Sequence, residues 1–276
     1  MFKMKKFTVF LFFSLFVTII VVLCITNNQQ LTINNQQEFV DTVEIRKKAK
    51  LLTFIDDDGH TSFVDKLLPI IKEKNISISM AIETSRAGTR NFMDWETIRE
   101  CHEQGAEVLN HSKYHIYSKA ESEKRSKDDI RNEMIESIED LSSNGYEETS
   151  DIWVYPGASA GATVTICSKV MRCGINSSGS VVNDYEFIKM HKYGLKRFPI
   201  CNHMTNTLED LKGYINQLNE TPGWEIWMMH SIYNEMSEDF LNDFRKAIDY
   251  CLENNIRIVS VKEALDFYGV INENKN

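Results

Sequence analysis

From Ala49 onward, short runs rich in β-branched residues alternate with longer stretches of helical periodicity. Such alternation is typical of βα units and a parallel sheet rather than of a sandwich of antiparallel strands. About seven βα units predict an α/β fold, a distorted (β/α) barrel that forms a single domain. The predicted strands span residues 51–55, 76–82, 107–109, 152–155, 174–177, 225–229 and 257–260.

Helix boundaries between these strands carry local signals. Ser126 and Asp129 have the spacing of a capping box at the start of a helix. Gly105 and Gly145 stand where helix C-caps are expected, because glycine tolerates the left-handed backbone found there. These signals support helices between the strands and therefore the barrel.

The N-terminus differs from the rest of the chain. Lys3, Lys5 and Lys6 precede an uncharged run from Phe7 to Ile25, which at about 1.5 Å per residue can cross a hydrocarbon core of about 30 Å. Basic residues before the run predict that the segments after it are extracytoplasmic. The predicted order is a cytoplasmic basic tail at 1–6, a transmembrane signal-anchor at 7–25, a polar stalk at 26–48, the domain at 49–270 and a polar tail at 271–276.

This order places the protein at the cell membrane, crossing it once. The alternative is secretion after cleavage of a signal peptide, but the apolar run is longer than a usual signal sequence and no small-x-small cleavage site follows it.

Charge excludes one class of partner. The chain carries 31 Lys+Arg against 40 Asp+Glu, a formal net charge of -9. Nucleic-acid binding requires clustered basic residues, so we expect no nucleic-acid partner.

Polar residues follow several predicted strands directly. Because the carboxyl ends of parallel barrel strands meet at one rim, we expect these residues to converge. They are Asp56, Asp57 and Asp58 after the first strand, His111 and His115 after the third, Pro156 and Gly157 after the fourth, and His230 after the strand at 225–229.

Three adjacent carboxylates repel one another unless they share a cation or a proton. His111 and His115, four residues apart, can meet on one face of a helical turn and chelate a metal such as Zn²⁺. One aspartate with two histidines leaves coordination positions open, as in catalytic sites. The alternatives are a solvated Asp-Gly turn at Gly59 and two surface histidines.

His230 alone is most simply a packing residue at the end of an apolar strand. Beside a carboxylate base and a metal it becomes a proton donor for a leaving group in metal-assisted hydrolysis. His60 adjoins the acidic run and is a candidate lining residue.

Four segments together resemble successive motifs of the polysaccharide deacetylases, carbohydrate esterase family four, in order and spacing. The resemblance covers about Lys50 to Phe267 and implies a distorted (β/α) barrel. It also implies metal-dependent removal of N-acetyl groups, less often O-acetyl groups, from a cell-wall or extracellular glycan that contains N-acetylglucosamine. The segments are Thr53–Gly59, Asn110–His115, Tyr155–Gly157 and Met228–His230.

Residue roles follow from this resemblance. It implies that Asp57 is the general base and His230 the acid. Asp58, His111 and His115 become the metal ligands, with Zn²⁺ as the expected metal and Co²⁺, Ni²⁺ or Mn²⁺ also accepted by such donors. A register shifted by one residue, with Asp56 as base and Asp57 as ligand, stays open. The implied substrate and oxyanion contacts are Tyr155, Pro156, Gly157 and Met228.

The sequence departs from the family pattern in two places. Val154 stands where the third motif usually carries an arginine that orients the base, and Arg197 is a candidate replacement from another loop. The fourth motif, an Asp/Trp segment, has no clear counterpart. Two alternative functions therefore stay open: a barrel that binds glycan or metal without turnover, and another metal-dependent amidase or esterase.

Overall fold

The computed structural model of the protein describes residues 42–115, 124–157, 162–179, 182–200, 207–232 and 236–273. Residues 42–48 form a helical segment before the first strand. The strands are β1 (Lys50–Asp58), β2 (Ser79–Ile82), β3 (Glu107–Asn110), β4 (Ile152–Val154), β5 (Cys173–Ser177), β6 (Leu195–Pro199), β7 (Gly223–Met229) and β8 (Arg257–Ile258). The helices are α1 (Ser62–Lys66), α2 (Leu68–Lys74), α3 (Trp95–Glu103), α4 (Lys127–Ser143), α5 (Ala162–Val170), α6 (Tyr185–Met190), α7 (Leu208–Glu220), α8 (Glu238–Glu253) and α9 (Val261–Tyr268), with a 3₁₀ turn at Thr84–Arg86.

Strand β1 closes the sheet into a ring. It pairs in parallel with β7 from Lys50 to Asp56 and with β2 from Ile55 to Asp58. The ring runs β1, β2, β3, β4, β5, β6, β7 and back to β1, and β8 pairs only with Leu51 and Leu52 of β1. The described residues thus form a barrel of seven parallel strands, which confirms the predicted α/β barrel.

The barrel interior follows from strand alternation, since successive side chains point to opposite faces. Leu51 and Ile55 of β1 lie in one buried cluster with Leu195 of β6 and Ile226 of β7. The intervening residues of β1 and β7 pack instead in a second cluster that includes residues of the surrounding helices. Burial of each Leu or Ile side chain contributes about 1.5–3 kcal/mol to the free energy of folding relative to exposure, so this apolar interior stabilises the strands that carry the rim residues.

The same alternation brings three predicted site residues to the inner face at the rim. Asp57, Arg197 and Met228 each follow an interior residue of their own strand by two positions. Residues from three strands therefore face a common space above the apolar interior.

Two strand predictions need correction. Residues 195–199 form strand β6, which the sequence pattern did not predict, because Lys196 and Arg197 interrupt the apolar alternation and Pro199 ends it. The strand predicted at 257–260 stops at Ile258, because the Ser260 hydroxyl accepts a hydrogen bond from the Glu263 N–H and begins α9. The number of strands in the ring is as predicted, but β6 takes the place of 257–260.

The predicted helix signals are confirmed. Ser126 and Asp129 form a reciprocal capping box at the start of α4. Gly105 and Gly145 follow α3 and α4 with φ of 105° and 94°.

The predicted anchor at 7–25 lies outside the described residues, as does most of the stalk predicted at 26–48. In the described ranges, no helix combines the length and the apolar character needed to cross a membrane.

Candidate active site

Asp58, His111 and His115 meet at the rim of the barrel. Asp58 Oδ1 lies 3.4 Å from His111 Nε2 and 3.1 Å from His115 Nε2, and the two Nε2 atoms are 3.0 Å apart. One ligand atom from each residue lies within 4.8 Å of the others. Both histidines are buried, so the three donor atoms are concentrated in a small, largely dry volume.

The loop that carries both histidines is a bend rather than the predicted helical turn. Ser112 and His115 adopt positive φ angles of 70° and 47°. Two hydrogen bonds hold this conformation: His115 N donates to Ser112 Oγ at 2.8 Å, and Ser112 N donates to Asn110 Oδ1 at 2.9 Å. Such short-range side-chain bonds compete with the helix, which is why the four-residue spacing did not produce one.

Helix α4 fixes the same loop from outside. Glu133 is buried on α4, accepts the Tyr114 N–H at 3.1 Å and pairs with Arg125 at 2.5 Å. The Asn110 side-chain amide donates to Ser137 Oγ at 3.0 Å. Local strain at a site persists only where the surroundings over-determine it, and these contacts provide that support.

The histidine geometry fits a divalent metal. His111 Nδ1 lies 2.9 Å from the carbonyl oxygen of Val154, and because a carbonyl only accepts, the proton is on Nδ1. Nε2 is therefore the ring nitrogen that faces Asp58 and His115. A neutral imidazole held through its other nitrogen is the usual form of a metal-ligating histidine, and one carboxylate with two imidazoles suits Zn²⁺.

Asp57 makes a different contact. Arg197 Nη1 lies 2.5 Å from Asp57 Oδ1, and Arg197 Nη2 donates to the Tyr155 carbonyl at 3.2 Å. Burial alone would raise the pKa of Asp57, but the charges of Arg197, His111 and His230 outweigh it and lower the pKa. Asp57 is thus ionised, with Oδ2 lying 3.5 Å from His111 Nε2.

Asp56 is fully buried and accepts a hydrogen bond from Ser231 Oγ at 2.8 Å. Burial, reinforced by the charges of Asp57 and Asp58, raises the pKa of Asp56 well above its ordinary value. At Asp58 burial is outweighed by hydrogen bonds from His111, His115 and His60, and the pKa is lowered. Three adjacent carboxyl groups therefore avoid mutual repulsion, because one favours the protonated form and the others lie beside cationic or donor groups.

His230 lies at the open side of this cluster. Its Nε2 is 3.9 Å from Asp57 Oδ2 and 3.9 Å from Asp58 Oδ2, and its side chain is 25% exposed. The structure therefore brings together Asp57, Asp58, His111, His115, His230 and Arg197. Arg197 comes from strand β6 and not from a loop as predicted.

The other predicted contact residues are placed less directly. The Tyr155 side chain is fully buried and donates to the Tyr193 carbonyl at 3.0 Å, so its contact with the cluster is through its own carbonyl. Pro156 is buried, whereas Gly157 is exposed with φ of 58°. Met228 is half-buried on β7.

Two residues near the cluster were not predicted. Glu83 directly follows β2, is buried, and lies 3.0 Å from the Arg86 guanidinium. Burial raises the pKa of Glu83, against the opposing charges of Arg86 and His115. Ser231, the partner of Asp56, follows the last residue of β7 by two positions. Both residues lie within two positions of a strand end, so the criterion that identified the other residues could have found them.

Comparisons with known proteins identify a family model and a shared fold. The family model described as polysaccharide deacetylase matches residues 42–177. A comparison with curated proteins found no match.

Solved structures share the fold. The Xyl-CE4 domain of a multidomain xylanase from the hindgut metagenome of Trinervitermes trinervoides has a TM-score of 0.57 at 14% identity, over 82% of this chain and 94% of that chain. A family 4 carbohydrate esterase from Bacillus anthracis has a TM-score of 0.52 at 15% identity, over 83% and 92%. A family 4 acetyl xylan esterase from Clostridium thermocellum, in complex with a cobalt ion, has a TM-score of 0.52 at 17% identity, over 80% and 93%. The family model is matched across the segments that carry Asp57, Asp58, His111 and His115, which confirms the predicted resemblance to the polysaccharide deacetylase family, hydrolases that act on the acetyl groups of polysaccharides.

Proposed function

We propose that this protein is a metal-dependent hydrolase that removes N-acetyl groups from a cell-wall or extracellular polysaccharide containing N-acetylglucosamine. The observation that carries the proposal is the convergence of a buried Asp-His-His cluster, an ionised Asp57 paired with Arg197, and the partly exposed His230. Together they supply donors for a metal, a base and an acid.

Asp58, His111 and His115 would hold the metal, and Zn²⁺ fits the donor set best. When bound, such a metal lowers the pKa of a water and polarises the acetyl carbonyl. Co²⁺, Ni²⁺ and Mn²⁺ are accepted by similar donors, and the Clostridium thermocellum esterase was solved with a cobalt ion.

Asp57 is the general base of the proposed reaction. Arg197 occupies Oδ1, so Oδ2 is the atom that accepts the proton of the attacking water. The guanidinium also keeps the carboxylate ionised and fixed in direction, because it is itself tied to the Tyr155 carbonyl. The base is therefore oriented before substrate arrives.

His230 protonates the departing nitrogen. Its exposed edge faces the side from which a glycan can approach, and its Nε2 is 3.9 Å from the base oxygen. The Gly157 N–H is the proposed donor to the developing oxyanion, and Met228 the proposed apolar wall for the acetyl methyl group.

The net charge of -9 supports a neutral acetylated glycan as substrate, since an acidic protein repels anionic polymers. Removal of an O-acetyl group is a second candidate, since the Clostridium thermocellum relative is an acetyl xylan esterase. An ester needs less help from His230, because an alkoxide leaves more readily than an amide anion.

The alternative of a barrel without turnover rests on Val154 at the position of the usual arginine and on the fourth motif, which has no clear counterpart. Arg197 approaches the same carboxylate from β6 and provides a guanidinium for Asp57. This contact favours an active enzyme over a binding protein.

The test is acetate release by the full-length chain, purified in mild detergent with Zn²⁺ or Co²⁺. Peptidoglycan, N-acetylglucosamine oligomers and acetylated xylan are the three substrates. We expect acetate from the first two, and loss of about 10²–10⁴ in rate for Asp57→Asn. Release from acetylated xylan alone would show an O-deacetylase, and no release from any substrate would contradict the enzyme.

We further propose that residues 7–25 anchor the chain in the cell membrane with the catalytic domain extracytoplasmic. Fractionation, together with protease accessibility of the domain in intact cells, tests this arrangement. Recovery of a shortened chain in the medium would show secretion after signal cleavage instead.

A further inference from the structure

The two oxygens of Asp58 face different partners. Oδ1 lies beside His111 and His115, the other members of the proposed ligand group. Oδ2 lies 3.5 Å from His60 Nε2 and 3.9 Å from His230 Nε2. His60 does not belong to the group whose ligand atoms lie within 4.8 Å of one another, and it approaches Asp58 at the oxygen that does not face His111 and His115.

The position of the His60 ring is fixed by its surroundings. It stacks on Phe92 with ring centroids 4.6 Å apart and an interplanar angle of 29°. Their backbones form an antiparallel bridge, flanked by hydrogen bonds from Thr61 N to Asn91 O and from Met93 N to Gly59 O, each 3.0 Å long. The backbone pairing fixes the position of the His60 Cα, and rotation of the imidazole would break its stack on Phe92.

The stack continues to the end of β2. The guanidinium of Arg86 lies 4.9 Å from the centre of the Phe92 ring, within the range of a cation–π contact. Its Nε is 3.0 Å from the buried carboxylate of Glu83. Phe92 is thus held by a residue of the barrel rim as well as by His60.

This arrangement restricts how Asp58 can present itself. A carboxylate with no partner on its outer oxygen can rotate and offer either oxygen, or both, to a metal. An imidazole held 3.5 Å from Oδ2 favours one orientation, in which Oδ1 faces the two histidine ligands. Hydrogen-bond partners of metal ligands commonly orient them in this way, and their removal typically costs about 10–100-fold in metal affinity.

We propose that His60 is a positioning residue that orients the metal ligand Asp58 through Oδ2. The inference rests on the proposed metal site. It also distinguishes the two imidazoles near Oδ2, because His60 lies closer to this oxygen than His230 does.

The test compares metal binding by full-length variants in mild detergent, with Zn²⁺ affinity measured in competition with a chromophoric chelator. We expect His60→Ala to bind Zn²⁺ about 10–100-fold more weakly. His60→Gln keeps an N–H donor near the same place and should recover most of this loss. His191→Ala is the matched control and should bind like the unaltered chain, because His191 is an exposed histidine whose ring contacts Phe187.

The absorption spectrum of bound Co²⁺ gives a second readout, since a reoriented carboxylate alters the ligand field. It should change in His60→Ala and return in His60→Gln. Phe92→Leu, which removes the stack but keeps the imidazole, should weaken Zn²⁺ binding less than His60→Ala.

Equal Zn²⁺ affinity and an equal Co²⁺ spectrum in His60→Ala and the unaltered chain would overturn the role of His60 while leaving the proposed enzyme intact. A matching loss in His60→Ala and His60→Gln would also overturn it, because the donor would then be irrelevant. If the unaltered chain binds neither metal, the metal site fails and the role of His60 fails with it.

Discussion

The Arg197 guanidinium and the Asp57 carboxylate pair at 2.5 Å although 140 positions separate them in the sequence. They come from β6 and β1, with β7 between the two strands in the ring. The contact depends on the length of the arginine side chain, which reaches Asp57 although β7 lies between the two strands. Both groups are almost fully buried, so each is the counter-ion of the other.

Replacing Arg197 by Gln should therefore affect both activity and stability. Without the guanidinium, burial dominates at Asp57 and its pKa rises, so the acidic limb of the kcat/KM profile should move to higher pH. We expect kcat to fall about 10²-fold or more. Breaking a buried pair also costs about 3–5 kcal/mol of unfolding free energy, which denaturant titration measures.

Arg257→Gln is the matched control, because Arg257 is exposed and its guanidinium lies over the ring of Phe267. Its acidic limb and stability should stay unchanged. An unshifted acidic limb in an active Arg197→Gln enzyme would contradict the pairing as the determinant of Asp57 ionisation.

The three carboxylates should respond differently to the same change. Asp57→Asn should lower kcat by about 10²–10⁴ while Zn²⁺ affinity stays near that of the unaltered chain. Asp58→Asn should lose Zn²⁺ affinity by about 100-fold or more, because it removes a donor atom itself. Asp56→Asn should change kcat/KM less than about threefold, since a neutral amide replaces a carboxyl group that favours its neutral form. Loss of activity in Asp56→Asn with retained activity in Asp57→Asn would support the shifted register instead.

Gly59 should not tolerate a side chain. Its φ is 78°, and a Cβ would lie 2.9 Å from Ile82 Cδ1. We expect Gly59→Ala to lose about 2–3 kcal/mol of unfolding free energy, combining about 1–2 kcal/mol of backbone strain with the steric contact. Ile82→Val removes the contacting atom and costs about 0.5–1.5 kcal/mol alone.

The double variant should lose less unfolding free energy than the two single variants together, because the valine makes room for the alanine. Denaturant titration of all four proteins gives the coupling. Simple additivity would show that backbone strain, and not the Ile82 contact, accounts for the cost.

Glu225 should make stability depend on pH. Its side chain is fully buried on β7 and accepts a hydrogen bond from Trp227 Nε1 at 2.7 Å, while burial raises its pKa from 4.5 to about 8. Between about pH 4.5 and 8, the folded protein therefore keeps a proton that the unfolded chain has already released. The unfolding free energy should fall across this window, by up to about 1.4 kcal/mol per pH unit, and then level off.

Glu225→Gln keeps the shape of the side chain and removes the titration. The difference in unfolding free energy between the two proteins, measured at pH 5, 6.5 and 8, isolates the contribution of this residue. A constant difference would mean that Glu225 is ionised throughout.

The sequence was informative where a strand has an apolar face and ends in a polar group. Asp57, Asp58, His111, His115 and His230 all follow runs of this kind, so their convergence at the rim could be predicted from the barrel alone. The separate environments of the aspartates could not, because they depend on which side of β1 each faces and on the partner found there.

Arg197 shows the limit more clearly. The inner face of β6 includes Leu195 and Arg197, and the charged residue breaks the apolar pattern by which a strand is identified. Arg197, which supplies the base with its counter-ion, is thus also the residue that hid the strand from the sequence pattern. The left-handed bend at Ser112 and His115 was missed because local hydrogen bonds from the backbone to Asn110 and Ser112 replace a helical turn. A further contact comes from Glu133 of α4, which lies elsewhere in the sequence.

The pairing of β1 on both sides has a consequence for how the chain distributes chemistry. Asp56 is aligned with Met80 of β2 and Met229 of β7, and Asp57 with Ala81 of β2. The pairing of β1 with its two neighbouring strands determines which environment each of the three aspartates occupies. A slip of one residue would exchange the inward and outward carboxylates, so inserting or deleting a single residue in β1 would reassign base, ligand and neutral acid without altering one functional group.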